Sequence, residues 1–225
     1  MKLHASKVST TSRPVMLFIA EQKIPCEMVD VDILSGEHLK EPFISLNPSK
    51  QVPVLDDDGF VLTESSTILK YLAEKTNSPT YPKELKQRAR VNEAMDWLNT
   101  GFYREYGYHL IYPQLFPHHV RSPEEANKVT VEWGQAQSEA WLGVLQSQFL
   151  NKGTRYLCGN EITVADYFGS GIVSVGELIG VNFGKFPKVA AWLDNLRALP
   201  AWGSVYDVFA GFVQSVKDKP FVTIR

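Results

Sequence analysis

The sequence predicts two units, a small mixed α/β sheet domain over residues 1–80 and an all-helical domain over residues 86–225. Three observations carry this. Residues 1 to about 76 alternate between short runs of strand character and longer runs with the helical period. The segment Asn77-Ser78-Pro79-Thr80-Tyr81-Pro82, with two prolines and small polar residues, then ends the helical pattern. Beyond it the pattern stays helical, with no convincing strand.

In chain order, residues 3–8, 27–31, 52–55 and 60–62 read as strands, and residues 12–22, 36–46 and 65–75 as helices. The order β-α-β-α-β-β-α, with a hairpin closed at Asp57-Asp58-Gly59, suits a mixed sheet with helices on its faces. That is the thioredoxin-like arrangement. After the break, helices are expected over about 84–115, 123–149, 164–179, 187–199 and 201–216. Thr163-Val164-Ala165-Asp166 reads as an N-cap with an acidic residue at the third helical position, and Ile162 and Tyr167 are spaced for a hydrophobic staple.

Composition narrows the function. With 225 residues, 44% hydrophobic and 21% charged, the chain is far from the disordered regime and long enough to bury most of its apolar surface. A net charge of −2 and no long run of Lys or Arg give no footprint for nucleic acid or an anionic membrane. No apolar stretch approaches the roughly 20 residues needed to span a bilayer. The N-terminus reads as a strand rather than a secretory signal, so a cytoplasmic location is expected. Cys26 and Cys158 lack the spacing of a dithiol centre and are expected as buried thiols. None of the five histidines shows metal-ligand spacing. Small-molecule chemistry remains.

Three short segments can carry such chemistry. In Asn47-Pro48-Ser49-Lys50-Gln51-Val52-Pro53, Pro53 cannot donate to a ladder, so this is either an edge or a turn. A cis Val52-Pro53 bond would present the Val52 N–H and C=O to a ligand, although only about 5–6% of X-Pro bonds are cis. In Thr63-Glu64-Ser65-Ser66, a strand end turns into a helix whose first amides and Ser65 hydroxyl can receive a carboxylate, with Glu64 beside them for an ammonium; its ordinary reading is a helix cap. Ser9-Thr10-Thr11-Ser12 places four hydroxyls before a helix, with Pro14 suited to its first turn, and Ser12 is the best-placed cap. The aromatic residues from Phe102 to Phe116 can line an apolar pocket or serve as helix core.

In this order and spacing, the three segments resemble the N-terminal pattern of glutathione transferases. The closest similarity is to the theta class, in which a serine lies four residues before an arginine, as Ser9 lies before Arg13. Gly36-Glu37-His38-Leu39-Lys40 looks like the second-helix histidine motif of that class. Gln87-Arg88-Ala89-Arg90-Val91 and Thr163-Val164-Ala165-Asp166 resemble second-domain motifs.

The resemblance implies the glutathione transferase fold and a conjugating enzyme that uses glutathione as cosubstrate, with no cofactor or metal, acting on electrophilic, mostly apolar small molecules. It implies that Ser9 stabilises the thiolate, with Thr10, Thr11 and Ser12 as competitors. His38 and Lys50 approach the glycyl end, and Gln51 flanks the site, a departure that rests the charge pairing on Lys50 and His38. Val52 and the cis Pro53 hold the cysteinyl backbone, and Glu64 with Ser65 holds the γ-glutamyl group. Tyr103, Tyr106 and Phe116 are the candidates for the second-substrate pocket, and Tyr103 and Arg104 fall where related enzymes place site residues. A homodimer is implied, together with a detoxifying role. The alternatives on the same scaffold are a glutathione-dependent dehalogenase, peroxidase or ether-cleaving enzyme, and a non-catalytic binding module.

Overall fold

The computed structural model describes residues 1–150 and 153–225. Strands β1 (Lys2–Ala5), β2 (Glu27–Asp30), β3 (Val54–Asp57) and β4 (Phe60–Leu62) form one mixed sheet in the order β2-β1-β3-β4. β1 is parallel to β2 and antiparallel to β3, with Leu3 opposite both Met28 and Leu55. The parallel pair needs a crossover, which α1 (Ser12–Glu21) supplies. β3 and β4 form the predicted hairpin. Asp58 and Gly59, at φ 54° and 94°, take the two left-handed positions of a type I′ turn, and Asp56 Oδ1 accepts the Gly59 N–H at 2.8 Å.

Several predicted boundaries move, and the strand expected over 52–55 is found at Val54–Asp57. β1 stops at Ala5 rather than Val8 because a turn intervenes: the Ser9 N–H donates to the Ser6 carbonyl at 3.0 Å, and Ser12 Oγ accepts the Ser6 N–H at 3.4 Å. β3 begins at Val54 because Pro53, after a cis Val52-Pro53 bond, has no N–H to pair. The single helix expected over 36–46 divides into a short 3₁₀ turn, Glu37–Leu39, and α2 (Phe43–Leu46). Pro42 lies between them, and a residue before proline disfavours helical backbone.

The two-residue period of β3 sends neighbouring side chains to different cores. Leu55 joins the large core with α1 and α3 (Ser65–Lys75), and Val54 joins a small one with Val31, Phe43 and Val52 under α2.

After residues 76–84 come α4 (Leu85–Trp97), α5 (Tyr112–Leu115), α6 (Glu124–Val144), α7 (Val164–Ser174), α8 (Pro187–Arg197) and α9 (Trp202–Val216). The helix expected over 84–115 is continuous, but from Leu98–Phe102 and Arg104–Ile111 it runs in wide π turns. α7 is buried along its whole length and packs on α1, α3 and α4, so one core joins the sheet to the helical bundle.

Its start is fixed by Asp166. The fully buried carboxylate accepts the Thr163 N–H and hydroxyl, each at 2.8 Å, and the Leu157 N–H and Trp192 Nε1–H, each at 2.9 Å. Cys26 and Cys158 are half-buried rather than buried, and burial pushes the Cys158 thiol up to about 12. Among the described residues, no helix is long and apolar enough to cross a membrane.

Candidate active site

The β1–α1 turn sets out its hydroxyls on different partners. Ser9 Oγ accepts the Ser12 N–H at 3.2 Å, and the Ser9 carbonyl accepts the Arg13 N–H at 3.2 Å. Ser9 therefore does the capping that the sequence reading gave to Ser12, whose hydroxyl is fully buried against Ser6. Thr11 Oγ1 donates to the Val52 carbonyl at 2.9 Å, tying the turn to the loop before β3. Because the one Thr11 proton is engaged there, Ser9 is the donor in the 3.2 Å Ser9–Thr11 contact. Thr10 faces the helical domain and accepts from the Tyr112 hydroxyl at 2.8 Å.

Arg13 follows directly and is fully buried. One guanidinium nitrogen donates to the Val8 carbonyl at 2.8 Å, while Nε and Nη2 have no partner. The guanidinium lies 3.7 Å from the centre of the Phe209 ring and 5.0 Å from that of Tyr206, so α9 screens it with π faces. Burial lowers its pKa.

The loop before β3 is pinned by Asn47. Its side chain donates to the Gln51 carbonyl at 2.8 Å and accepts the Ser49 N–H at 3.0 Å. Lys50, in left-handed backbone at φ 57°, and Gln51 are both exposed. The sequence reading offered both polar groups of Val52 to a ligand. The Val52 carbonyl already accepts from Thr11, which leaves it one lone pair beside the N–H.

Glu64 sits at φ 66° and ψ 107°, a conformation costly for a residue with a Cβ, and it is exposed. Its carboxylate makes no capping bond to α3, so the ordinary cap role is not the one seen. Ser65, the first residue of the eleven-residue α3, is buried. The helix start thus keeps its orphan amides, with the positive end of the macrodipole, for an anion.

His38 is half-buried with an unpartnered Nδ1. Burial first, and the neighbouring His118 second, lower its pKa, which favours the neutral imidazole.

Of the three pocket candidates, Tyr106 is corrected. It is fully buried, donates to the Val173 carbonyl at 3.2 Å and stacks on Phe102, so it belongs to the core. Arg104 is exposed and pairs with Glu105 at 2.8 Å. Tyr103 and Phe116 do come together, through Tyr112, whose ring lies 6.0 Å from Tyr103 and 5.5 Å from Phe116. Gly107 makes room: a Cβ there would lie 2.6 Å from the Tyr103 ring.

The sequence reading counted Tyr108 among the aromatics of 102–116 without singling it out, and passed over His119. Tyr108 is 39% exposed, its ring meets Tyr103, Tyr112 and His119 at 5.2–5.4 Å, and it feels the charge of Glu64. This aromatic wall therefore reaches from the helical domain toward the start of α3.

The family described as the glutathione S-transferase N-terminal domain matches residues 7–74, and its C-terminal domain matches residues 112–200. Glutathione S-transferase theta-1 of Mus musculus is 34% identical over 206 residues, covering 88% of this chain and 82% of that protein. Human glutathione transferase theta-2, solved with glutathione and an unknown ligand, superposes with a TM-score of 0.84 at 28% identity, over 100% of this chain and 93% of that one. The human theta-class enzyme solved with the glutathione conjugate of 1-menaphthyl sulfate gives 0.83 at 29% identity, over the same shares. On these matches and this fold, the chain belongs to the glutathione S-transferase family and is theta-like.

Proposed function

We propose that the chain binds glutathione between the Ser9 turn, Val52 and the start of α3, and delivers its thiolate to an electrophilic carbon of a small, mostly apolar compound. The observation that carries this is the uncapped α3. Glu64 is held in left-handed backbone without capping its helix, while the buried Ser65 and the first amides stay available for a carboxylate.

In this reading the γ-glutamyl carboxylate meets Ser65 and those amides, and its ammonium meets Glu64. The Val52 N–H and the remaining lone pair of its carbonyl, before the cis Pro53, pair with the cysteinyl backbone. Lys50 supplies the positive charge at the glycyl carboxylate, His38 a neutral contact, and Gln51 flanks them. When glutathione is bound, Ser9 gives up its contact with Thr11 and donates to the sulfur instead. Tyr108 and Phe116 face the electrophile, with the buried Tyr103 packed behind Tyr108. The nucleophile arrives with glutathione, so neither a metal nor a prosthetic group takes part.

The human theta-class structures that hold glutathione or its conjugate support the assignment of substrate. A homodimer fits the exposed apolar side chains on both domains, Phe60 and Val61 on β4 and Val129 and Trp133 on α6. A cytoplasmic, detoxifying role belongs to the same proposal.

Calorimetric titration with glutathione, followed by assays on haloalkanes, aryl halides and hydroperoxides, tests the reading. Saturable glutathione binding with turnover of a halide supports conjugation. Absence of glutathione binding makes the chain a non-catalytic module.

A further inference from the structure

Three hydroxyls, all buried, meet between the two domains. Tyr103 and Tyr112 lie 2.6 Å apart through their oxygens, and Tyr112 donates to Thr10 Oγ1 at 2.8 Å. A phenol has one proton. If Tyr112 gives its proton to Thr10, it receives the proton of Tyr103, so the chain runs in one direction, from Tyr103 through Tyr112 to Thr10.

We infer that Tyr112 is a positioning residue for thiol activation: with Tyr103 behind it, it fixes and polarises Thr10, and through Thr10 the turn that aims Ser9 at the glutathione sulfur. The inference rests on the glutathione-activating reading above.

Four observations support it. Thr10 directly follows Ser9, and the Thr10 hydroxyl proton is not needed by Tyr112, so a donor bond into its oxygen strengthens it as a donor in turn. Burial pushes Tyr112 up to about 12 and Tyr103 well above the ordinary phenol range, so both stay protonated and the direction holds at working pH. Gly171 of α7 brings the helical domain against the same turn, since a Cβ there would stand 2.2 Å from the Thr10 carbonyl oxygen. Thr10 is thus held from two sides. The charged and titratable groups around the chain are the buried Arg13 beside Tyr112, Tyr108 beside Tyr103, His119 against the Tyr112 ring, and Glu64 near Tyr108.

The test measures the pKa of enzyme-bound glutathione from thiolate absorbance against pH. The proteins are the wild type, Tyr112→Phe, Tyr103→Phe, Thr10→Ala and the Thr10→Ala/Tyr112→Phe double variant. Tyr112→Phe is expected to raise that pKa by about half a unit, roughly a threefold fall in the ratio of thiolate to thiol. kcat should fall with it, while KM for glutathione holds.

Tyr103→Phe, at the far end of the chain, should shift the pKa in the same direction by less, and it keeps the test decisive if Tyr112→Phe does not fold. The double variant should match Thr10→Ala alone, because a relay through Thr10 has nothing left to act on. A lowered wild-type pKa that Tyr112→Phe or Tyr103→Phe leaves in place overturns the relay alone, as does a Tyr112→Phe shift that persists without Thr10. A wild-type pKa equal to that of free glutathione overturns the activating reading and the relay with it.

Discussion

Ser9→Ala tests two jobs of one hydroxyl, the cap seen in the structure and the proposed donor to the thiolate. As an acceptor, Ser9 Oγ holds the Ser12 N–H at 3.2 Å at the start of α1, and losing a cap of this kind costs about 1 kcal/mol. In a chain of this size that lowers Tm by roughly 2–4 °C. As a donor to a bound thiolate, the same hydroxyl supplies on the order of 1.5–3 kcal/mol, and at 1.36 kcal/mol per unit its loss raises the thiol pKa by about 1–2 units. The two effects are independent because one uses the lone pairs and the other the proton.

The assays are a thermal melt without glutathione and the pH titration of thiolate absorbance with it. Glutathione affinity should barely change, since the proposed binding contacts lie at Val52, Glu64 and Ser65. The adjacent Thr11 is the necessary control. It donates to the Val52 carbonyl, so Thr11→Val should loosen the tie between turn and loop and weaken glutathione binding more than it moves the thiol. A Tm loss in Ser9→Ala with an unchanged thiol pKa would leave Ser9 as a cap only. The assignment would then pass to whichever of Thr10→Ala and Thr11→Val shows the shift.

Glu64→Ala should weaken glutathione binding at least tenfold in a calorimetric titration, because a charge-assisted pair to the γ-glutamyl ammonium contributes about 1.5–3 kcal/mol; unchanged affinity would place the ammonium elsewhere. Gly171→Ala puts a methyl group 2.2 Å from the Thr10 carbonyl and 2.6 Å from Pro14 Cγ, so it should cost about 1–3 kcal/mol in denaturant unfolding. It should also lower kcat by displacing the turn, and a fully active, equally stable variant would show that the contact yields freely. Asp57 accepts from Lys75 and from Tyr71, the latter at 2.5 Å, and these bonds, that to Lys75 first, hold its pKa below the ordinary value. A depressed carboxylate stabilises the fold above its unfolded pKa near 4, and that contribution is lost as pH falls through the lower folded value. The Tm gap between wild type and Tyr71→Phe should therefore narrow below about pH 4, and a gap independent of pH would sink the linkage.

Much of the fold was legible because it is written locally. The Asp58-Gly59 turn, the start of α3 at Ser65 and the Thr163/Asp166 start of α7 each depend on residues within a few positions of one another, and each stands where the sequence places it. The candidates Ser9, Val52, Glu64 and Ser65 were chosen through their order and spacing. The partners of their polar groups were not. Which of Ser9 and Ser12 caps α1 turns on Ser6, whose N–H takes the Ser12 hydroxyl once the chain turns after Ala5. The bond between Tyr112 and Thr10 joins residues 102 apart, and no local pattern announces it.

The aromatic wall failed for a different reason, a change of period inside a helix. At 3.6 residues per turn, Tyr106 shares the face of Tyr103, about 60° away, whereas Tyr112, nine residues on, lies about two and a half turns away on the opposite side. By the ordinary period Tyr103 and Tyr106 would share a face and Tyr112 would not. In the π turns of Arg104–Ile111 each bond closes over five residues, which widens the turn. The wider period brings positions 103, 108 and 112 together, as their ring contacts record, and carries Tyr106 round into the core against Val173. The side chains that form the aromatic wall are thus chosen by the helix type. A π segment is stabilised by its packing, here against α6, rather than by local propensity, so the period that places Tyr108 and Tyr112 at the site exists only once the helical domain has assembled.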